Sequence, residues 1–285
     1  MNWTDRRLQF REIMEKPICE NPASVFDPIS GRIAEELKYK VGIFAGSIAS
    51  MTILGDPDLL LITLSEFSAQ ALRISRSNKL PLLVDADHGY GNALNVKRTV
   101  EELETSGVAA LTIEDTELPI SYGANNNLGL LGIDEGIGKM KAAIEARQDP
   151  NLSIIARTSA FQLSNDEDAI GRAKAYENIG VDAIFFAGIS KKEQLEELNN
   201  NTSIPIFIAP KGNELYDKAY LASKNVKICL LGHHPFEASI QAVYDTLKSL
   251  KNGIPMTELN NIASRELIDK VTKKDEYEVL IRKYL

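Results

Sequence analysis

The stretch Leu80-Pro-Leu-Leu-Val-Asp-Ala-Asp-His-Gly-Tyr-Gly-Asn92 decides how the chain is read. It begins as an apolar run of strand length, Leu80 to Val84. Asp85 and Asp87 follow, then a Gly-Tyr-Gly turn, and Asn92 stands where a helix N-cap would be. Side chains two apart on an extended chain point the same way, so the two carboxylates can converge at the strand's end. Two anions that close repel, and one stays protonated unless a cation lies between them. Hard oxygen donors of this kind suit Mg²⁺ or Mn²⁺. A capping Asp and a turn Asp in an ordinary strand-to-helix loop would leave the same letters, so the neighbours of the stretch must settle its reading.

The same sequence of apolar run, turn and helix recurs on both sides. Strand signals lie at Ala23–Asp27, Val41–Ser47, Leu80–Val84, Ala110–Asp115, Ser153–Thr158, Asp182–Ala187, Pro205–Ala209 and Lys227–Leu231. Helical patterns lie at 3–16, 29–37, 57–76, 95–107, 134–147, 167–179, 191–199, 216–223 and 236–250, with two further stretches at 256–270 and 275–285. The strands are short, apolar and not alternating, as expected when both faces of a sheet are covered. Strand and helix in alternation predict a parallel sheet, and a count of eight predicts a closed (β/α)₈ TIM barrel with extra C-terminal helices. An open doubly wound sheet is the runner-up, and no Gly-x-Gly-x-x-Gly follows the first strand to support its dinucleotide version. No composition shift marks an internal boundary, so residues 1–285 read as one barrel domain with 254–285 as a helical extension.

Composition narrows the function classes. The chain has 285 residues, 44% hydrophobic and 25% charged, with a net charge of -8. That balance disfavours a nucleic-acid partner. The two cysteines, Cys19 and Cys229, are too few for a disulfide framework and lack zinc-ligand spacing. The N-terminus is polar and charged, and no apolar run approaches membrane-spanning length, so a cytoplasmic protein without a membrane partner is expected.

In a barrel, function gathers at the C-terminal ends of the strands. Here those ends carry Asp27, Gly46-Ser47, Asp85 with Asp87, Glu114-Asp115, Arg157, Gly188, Lys211 and His233-His234. Strands giving way to polar loops explain part of this, and Asp27 and Asp115 also read as caps or turn formers. The combination goes further. Asp85, Asp87 and Glu114 form an anionic nest for a divalent cation, with Asp85 as the direct ligand and the others holding its waters. Arg157 can pair with a carboxylate, Ser47 can offer a hydroxyl and a backbone N–H to an oxyanion, and His233 can donate a proton or bind an anion. His88 alternates away from the Asp pair and reads as a structural packing or hydrogen-bonding residue.

Asp85-Ala-Asp-His-Gly-Tyr-Gly-Asn92 and Thr112-Ile-Glu-Asp115 resemble the isocitrate lyase/phosphoenolpyruvate mutase superfamily. The resemblance runs along nearly the whole chain and looks strongest to the oxaloacetate decarboxylase branch. It rests on Ala23-Ser-Val-Phe-Asp-Pro28, Gly46-Ser47, Ile62-Thr-Leu-Ser-Glu-Phe67, Asp85 to Val96, Ala109 to Thr116, Ile154-Ile-Ala-Arg-Thr158 and Gly232-His233. It implies a Mg²⁺-dependent barrel, usually a homotetramer, with the last barrel helix swapped between neighbours. It implies an α-keto acid substrate contacted by Ser47, Arg157 and His233, with Asp85 on the metal and Asp87 and Glu114 in its outer shell. C–C lyases of the superfamily carry a Lys-Lys-Cys-Gly-His loop after the fourth strand, and the mutases and phosphonopyruvate hydrolases tend to use a Lys there. Residues 119–129 of this chain contain no Cys, Lys or His. The chain departs from related decarboxylases at Lys211, where they have Tyr, at Ser159, where they have Asn, and in the bulkier, more basic His233-His-Pro-Phe236. The expected reaction is Mg²⁺-dependent decarboxylation of oxaloacetate or a close α-keto dicarboxylate. The alternatives are another C–C lyase or phosphonopyruvate-type enzyme of the superfamily, or a barrel that binds a dicarboxylate without turning it over.

Overall fold

The computed structural model describes residues 2–123 and 128–285. Eight short runs rich in β-branched and aromatic residues become strands: β1 Ala23–Ser24, β2 Gly42–Ala45, β3 Leu82–Asp85, β4 Ala110–Glu114, β5 Ser153–Thr158, β6 Ala183–Ala187, β7 Ile206–Ala209 and β8 Val226–Cys229. They pair in sequence order, and each registered pair is parallel. Glu20, just ahead of β1, closes the ring onto β8: its N–H donates to the Lys227 carbonyl at 2.8 Å, and the Glu20 carbonyl accepts from the Cys229 N–H at 2.9 Å. The architecture is the (β/α)₈ barrel expected from the sequence.

The helices are α1 Trp3–Glu15, α2 Pro28–Glu36, α3 Gly46–Ala49, α4 Leu64–Ser77, α5 Ala93–Thr105, α6 Ile133–Ala146, α7 Ala160–Leu163, α8 Asp166–Asn178, α9 Lys192–Asn201, α10 Lys218–Ser223, α11 His234–Lys251, α12 Arg265–Val271 and α13 Lys274–Tyr284. Residues alternate between two cores along each strand, as the pleat requires. Phe44, Val84, Leu111, Ile154, Phe186 and Ile208 face the helical layer. Ile43, Leu83, Ile155, Phe185, Phe207 and Ile228 fill the barrel interior, and α1 plugs its bottom with Phe10, Ile13 and Met14. Among the described residues no helix is long and apolar enough to cross a membrane.

Several elements differ from the sequence expectation: the 256–270 stretch is α-helical only over α12, after a 3₁₀ turn at Met256–Glu258, and the second strand ends at Ala45, before Gly46 and Ser47 begin α3. The first strand is only Ala23–Ser24, because Asp27 is the N-cap of α2: its side chain accepts from the Ser30 N–H while Ser30 answers the Asp27 N–H. The pattern read as one helix over 57–76 is helical only from Leu64. Thr63 and Glu66 form a reciprocal capping box that starts the helix there. The chain before it, with Asp58, Leu59 and Leu60, is released to line a cavity. The short α7 stands between β5 and α8, where the sequence pattern gives no element.

The last barrel helix behaves unlike the others. Of α11 only Phe236 is buried, while Ile240, Val243, Tyr244, Leu247 and Leu250 stand exposed. The extension folds back at α12, where Lys270 and Lys273 pair with Glu36 and Glu35 of α2.

Candidate active site

The interior stack of side chains turns polar at the upper end of the strands. Leu83 is followed two residues on by Asp85, Thr112 by Glu114, and Ile155 by Arg157. The ladder sets Asp85 beside Thr112 and Glu114 beside Arg157. The Asp85 carboxylate accepts from Thr112 Oγ1 at 2.7 Å and from Arg157 Nη1 at 2.5 Å. Glu114 accepts from Thr116 Oγ1 at 2.7 Å and lies 3.5 Å from Arg157 Nη2. Arg157 also lies over the Phe185 ring, 5.5 Å from its centroid.

Asp87 reaches the same volume by a different route. It lies beyond the strand in a left-handed conformation, φ +46°, and Tyr90 follows at φ +60°. Both are uncommon for residues with a Cβ. The turn is held by Gly89 N–H to the Ala86 carbonyl at 2.9 Å and by Thr99 Oγ1 to the Gly89 carbonyl at 2.9 Å. The Glu114 N–H donates to the Asp87 carbonyl at 2.8 Å, which ties the turn to β4. The Asp87 side chain then lies against Gly46, where any Cβ would run into its carboxylate. Gly46 is thus required for the close approach.

The electrostatics show a surplus of negative charge. Asp87 is buried, and its Oδ2 has no hydrogen-bond partner. Burial first, then Asp85 and Glu114, push its carboxyl well above the usual carboxylate range. Glu114 is raised by burial, against the pull of Arg157. Asp58 is raised as well, by burial and by Asp85. Arg157 is lowered by burial but raised overall by Asp85 and Glu114, so it stays charged. One guanidinium faces four carboxyl groups, and its own Nε remains unpartnered.

These groups open on one cavity of about 590 Å³. Ser47, Asp85, Asp87, Glu114, Arg157 and His233 all line it. Ser47 comes in on α3 at the end of β2. His233 precedes α11, and its Nδ1 lies 2.8 Å from Ser24 Oγ. Burial lowers its pKa below that of a free imidazole. Lys211 and His234 are exposed and do not line the cavity, and His234 pairs instead with Glu237 at 2.8 Å. His88 is buried, and burial with the nearby Lys139 holds it at about 4, a neutral packing residue. Apolar side chains complete the walls, among them Leu60, Leu118, Leu163 and Leu230. Part of the 121–129 loop lies outside the described residues.

Sequence reading missed Asp58, because its segment was taken into a helix. The signal that could have found it is the Thr63-Leu-Ser-Glu66 capping box, which places the helix start beyond it. It also missed Ser24, whose partner is 209 residues away.

The residues fit a hard divalent cation of a particular kind. Among the described residues no group of three His, Cys, Asp or Glu is arranged to hold a metal ion directly. Asp85 already accepts two hydrogen bonds, and Asp87 offers a buried oxygen that lacks a donor. A cation that keeps its waters matches this set, since it offsets the negative surplus of Asp58, Asp85, Asp87 and Glu114 around one cavity without needing three direct ligands.

The chain has relatives along its whole length. It is 52% identical over 273 residues to oxaloacetate decarboxylase of Rhodopseudomonas palustris (strain BisB18), covering 96% of this chain and 94% of the relative. It is 48% identical over 285 residues to oxaloacetate decarboxylase of Bradyrhizobium sp. (strain ORS 278), covering 100% and 99%. The crystal structure of phosphoenolpyruvate phosphomutase from Streptomyces platensis subsp. rosaceus superposes with a TM-score of 0.86 at 26% identity, over 98% of this chain and 99% of that one. The family model described as phosphoenolpyruvate phosphomutase matches residues 10–251. The chain therefore belongs to the phosphoenolpyruvate phosphomutase family, within the isocitrate lyase/phosphoenolpyruvate mutase superfamily.

Proposed function

We propose that this protein decarboxylates oxaloacetate, or a close α-keto dicarboxylate, to pyruvate and CO₂. The observation that carries this reading is the end-to-end likeness, at about half of all positions, to proteins named oxaloacetate decarboxylase. The cavity supplies groups suited to the reaction. Asp85 would hold Mg²⁺ (or Mn²⁺) directly, and Asp87 and Glu114 would hold its waters. When bound, the cation supplies Lewis-acid stabilisation for negative charge that develops on the keto acid.

The chain's own residues do the rest. Arg157, at the cavity wall, would attract the substrate's C1 carboxylate with its charge, while its Nη atoms stay on Asp85 and Glu114. Ser47 gives a hydroxyl to the oxygen that gains charge. The C3–C4 bond breaks, C4 leaves as CO₂, and the electron pair passes into the C2–C3 enolate. A proton then returns to C3. His233 stands at the cavity wall to bind the leaving carboxylate or deliver that proton. The apolar walls hold water away from the carbanionic carbon.

The test is direct: purified protein with Mg²⁺ is expected to convert oxaloacetate to pyruvate, and EDTA to stop it. Turnover that survives complete removal of metal would sink the mechanism. Binding of Mg²⁺ and oxalate without turnover of oxaloacetate would transfer the protein to relatives acting on another α-keto or 2-hydroxy diacid, or to a non-catalytic dicarboxylate-binding barrel. The same reading includes one domain over 1–285 and a homotetramer in which α11 lays its exposed Val243, Tyr244 and Leu247 face on a neighbouring barrel. Light scattering on the wild type and on Val243→Glu/Leu247→Glu checks it, with the variant expected to dissociate.

A further inference from the structure

We propose that Ser24 is a positioning residue for His233, holding its ring so that Nε2 carries the proton and faces the cavity. The inference rests on the reading of His233 as a substrate-contacting group. Ser24 is the second residue of β1, registered against Ile43, and it is buried. Its Oγ lies 2.8 Å from His233 Nδ1, and among the described residues that hydroxyl has no other hydrogen-bond partner. His233 Nε2 has no protein partner among the described residues, and the side chain lines the cavity.

The backbone around His233 makes such an anchor necessary. Gly232 before it is left-handed, φ +86°, and α11 starts immediately after it. Beyond its first turn α11 has its apolar face exposed. That first turn touches the barrel wall through Phe236 on Phe26, at 5.3 Å between ring centroids. An imidazole on such a hinge rotates about two side-chain torsions unless one nitrogen is held. Ser24, on a strand of the barrel itself, holds it from the rigid side.

The hydroxyl also selects the tautomer. A neutral imidazole has one N–H and one acceptor nitrogen. Among the described residues the Ser24 hydroxyl proton has no acceptor but Nδ1. Nδ1 therefore accepts, and the ring proton sits on Nε2, where it can donate to an anionic oxygen of the substrate. If the ring takes a second proton, Nδ1–H donates to Oγ, and only the hydroxyl turns. Asp58, Asp85, Arg157, His234 and Glu237 are the charged or titratable groups around His233. None of them holds Nδ1, so the tautomer is left to Ser24.

The chain contains three histidines, His88, His233 and His234, which makes the test clean. Long-range ¹⁵N–¹H correlation spectra of histidine-labelled protein, assigned with His234→Gln, read the tautomer of His233. The wild type is expected to show the Nε2–H form. Ser24→Ala is expected to give a mixture of tautomers and a kcat/KM about tenfold lower, the scale of one neutral hydrogen bond. Ser24→Thr, which restores the hydroxyl, is expected to restore both. An Nδ1–H tautomer in the wild type, or wild-type spectra and kinetics in Ser24→Ala, would overturn the proposal. The spectrum of the unaltered protein decides even if a variant fails to fold. His233→Gln separates the two claims: full turnover in that variant removes His233 from the reaction, whatever Ser24 does to its ring.

Discussion

The two ends of the barrel hold the same kinds of charged group and use them in opposite ways. At the lower end, Arg7 donates to Asp149 at 2.8 Å and to the carbonyls of Val108 and Glu104 at 3.1 and 2.6 Å. Arg11 and Arg147 share the two oxygens of Asp182, at 2.9 and 2.6 Å. Glu104 accepts backbone N–H groups of Gln148 and Asp149, at 3.0 and 2.6 Å. No buried side-chain nitrogen or oxygen of these six residues is orphaned. Asp149 is accordingly held at about 2, burial being outweighed by Arg7 and its other donors. At the upper end, four carboxyl groups share Arg157, an Asp87 oxygen is left without a donor, and Asp58, Asp87 and Glu114 are all raised. Balanced charges at one end complete the fold by themselves. Unbalanced ones at the other leave the negative surplus that the proposed cation would meet.

Substitutions at the two ends should therefore separate activity from stability. Asp85→Ala is expected to lower kcat/KM by on the order of 10³-fold, the scale of losing a group that stabilises developing charge. Its melting temperature without metal should not fall, because the variant removes one of several repelling carboxylates. Arg7→Ala should do the reverse. It leaves Glu104 and Asp149 without their buried cation and should cost about 3 kcal/mol. That corresponds to a melting temperature lower by about 5–10 °C, with kcat/KM unchanged. Steady-state kinetics and calorimetry on the two variants decide the matter. If Asp85→Ala lost stability and kept turnover, the contrast between the ends would be void.

The contrast was half legible in the sequence. Strand ends are readable because the pleat has a period of two: once Leu83 faces inward, so must Asp85, and the same step links Ile155 to Arg157. Asp87 was placed beside Asp85 by the same rule, yet the structure brings it there through a left-handed turn packed on Gly46. Convergence on one cavity therefore comes from the turn and not from the pleat. Asp58 was hidden because Leu59, Leu60, Ile62 and Leu64 continue the apolar spacing of α4 backwards. Periodicity cannot distinguish a buried helix face from a cavity wall, whereas a capping box can. The pairing of Ser24 with His233 has no local signature, since it follows from the closure of the ring. The lower-end ion pairs were equally silent, because Arg7, Glu104 and Asp149 meet only when α1 plugs the barrel.

The pH dependence of metal binding sharpens the comparison. A carboxyl raised by folding binds its proton more tightly in the folded state. The stability it contributes is therefore fully present below the unfolded pKa and is lost as pH rises through the folded one. For Asp87 and Glu114 the metal-free protein should thus lose stability as pH climbs above the ordinary carboxylate range of about 4. Mg²⁺ displaces those protons, so its stabilising effect should grow with pH. At ten times Kd the gain is about 1.4 kcal/mol, or about 3–5 °C. Melting curves at pH 5 and pH 8, with Mg²⁺ and with EDTA, should show that rise at pH 8 and little of it at pH 5. Asp149 at the lower end has the opposite sign: its contribution is present above the unfolded pKa and is lost only as pH falls toward about 2. An equal Mg²⁺ effect at both pH values would mean that the upper carboxyls do not receive the cation.

The smallest effect probes the border between the two behaviours. Thr112 is fully buried in the middle of the interior stack, and its Oγ1 donates to Asp85 at 2.7 Å. It belongs to the packed barrel by position and to the reacting end by its hydrogen bond. Thr112→Val keeps the shape and removes the donor. Asp85 keeps Arg157, so the carboxylate is not abandoned, and the loss should be that of one hydrogen bond, about 1 kcal/mol. If Thr112 serves the site, that energy should appear as a five- to tenfold lower kcat/KM and a weaker Mg²⁺ affinity, with the metal-free melting temperature unchanged. If it serves the fold, the melting temperature should drop and the kinetics stand. The first outcome is expected. In the metal-free protein Asp85 is one of several repelling carboxylates, and fixing its orientation gains little until a cation needs that oxygen in one place.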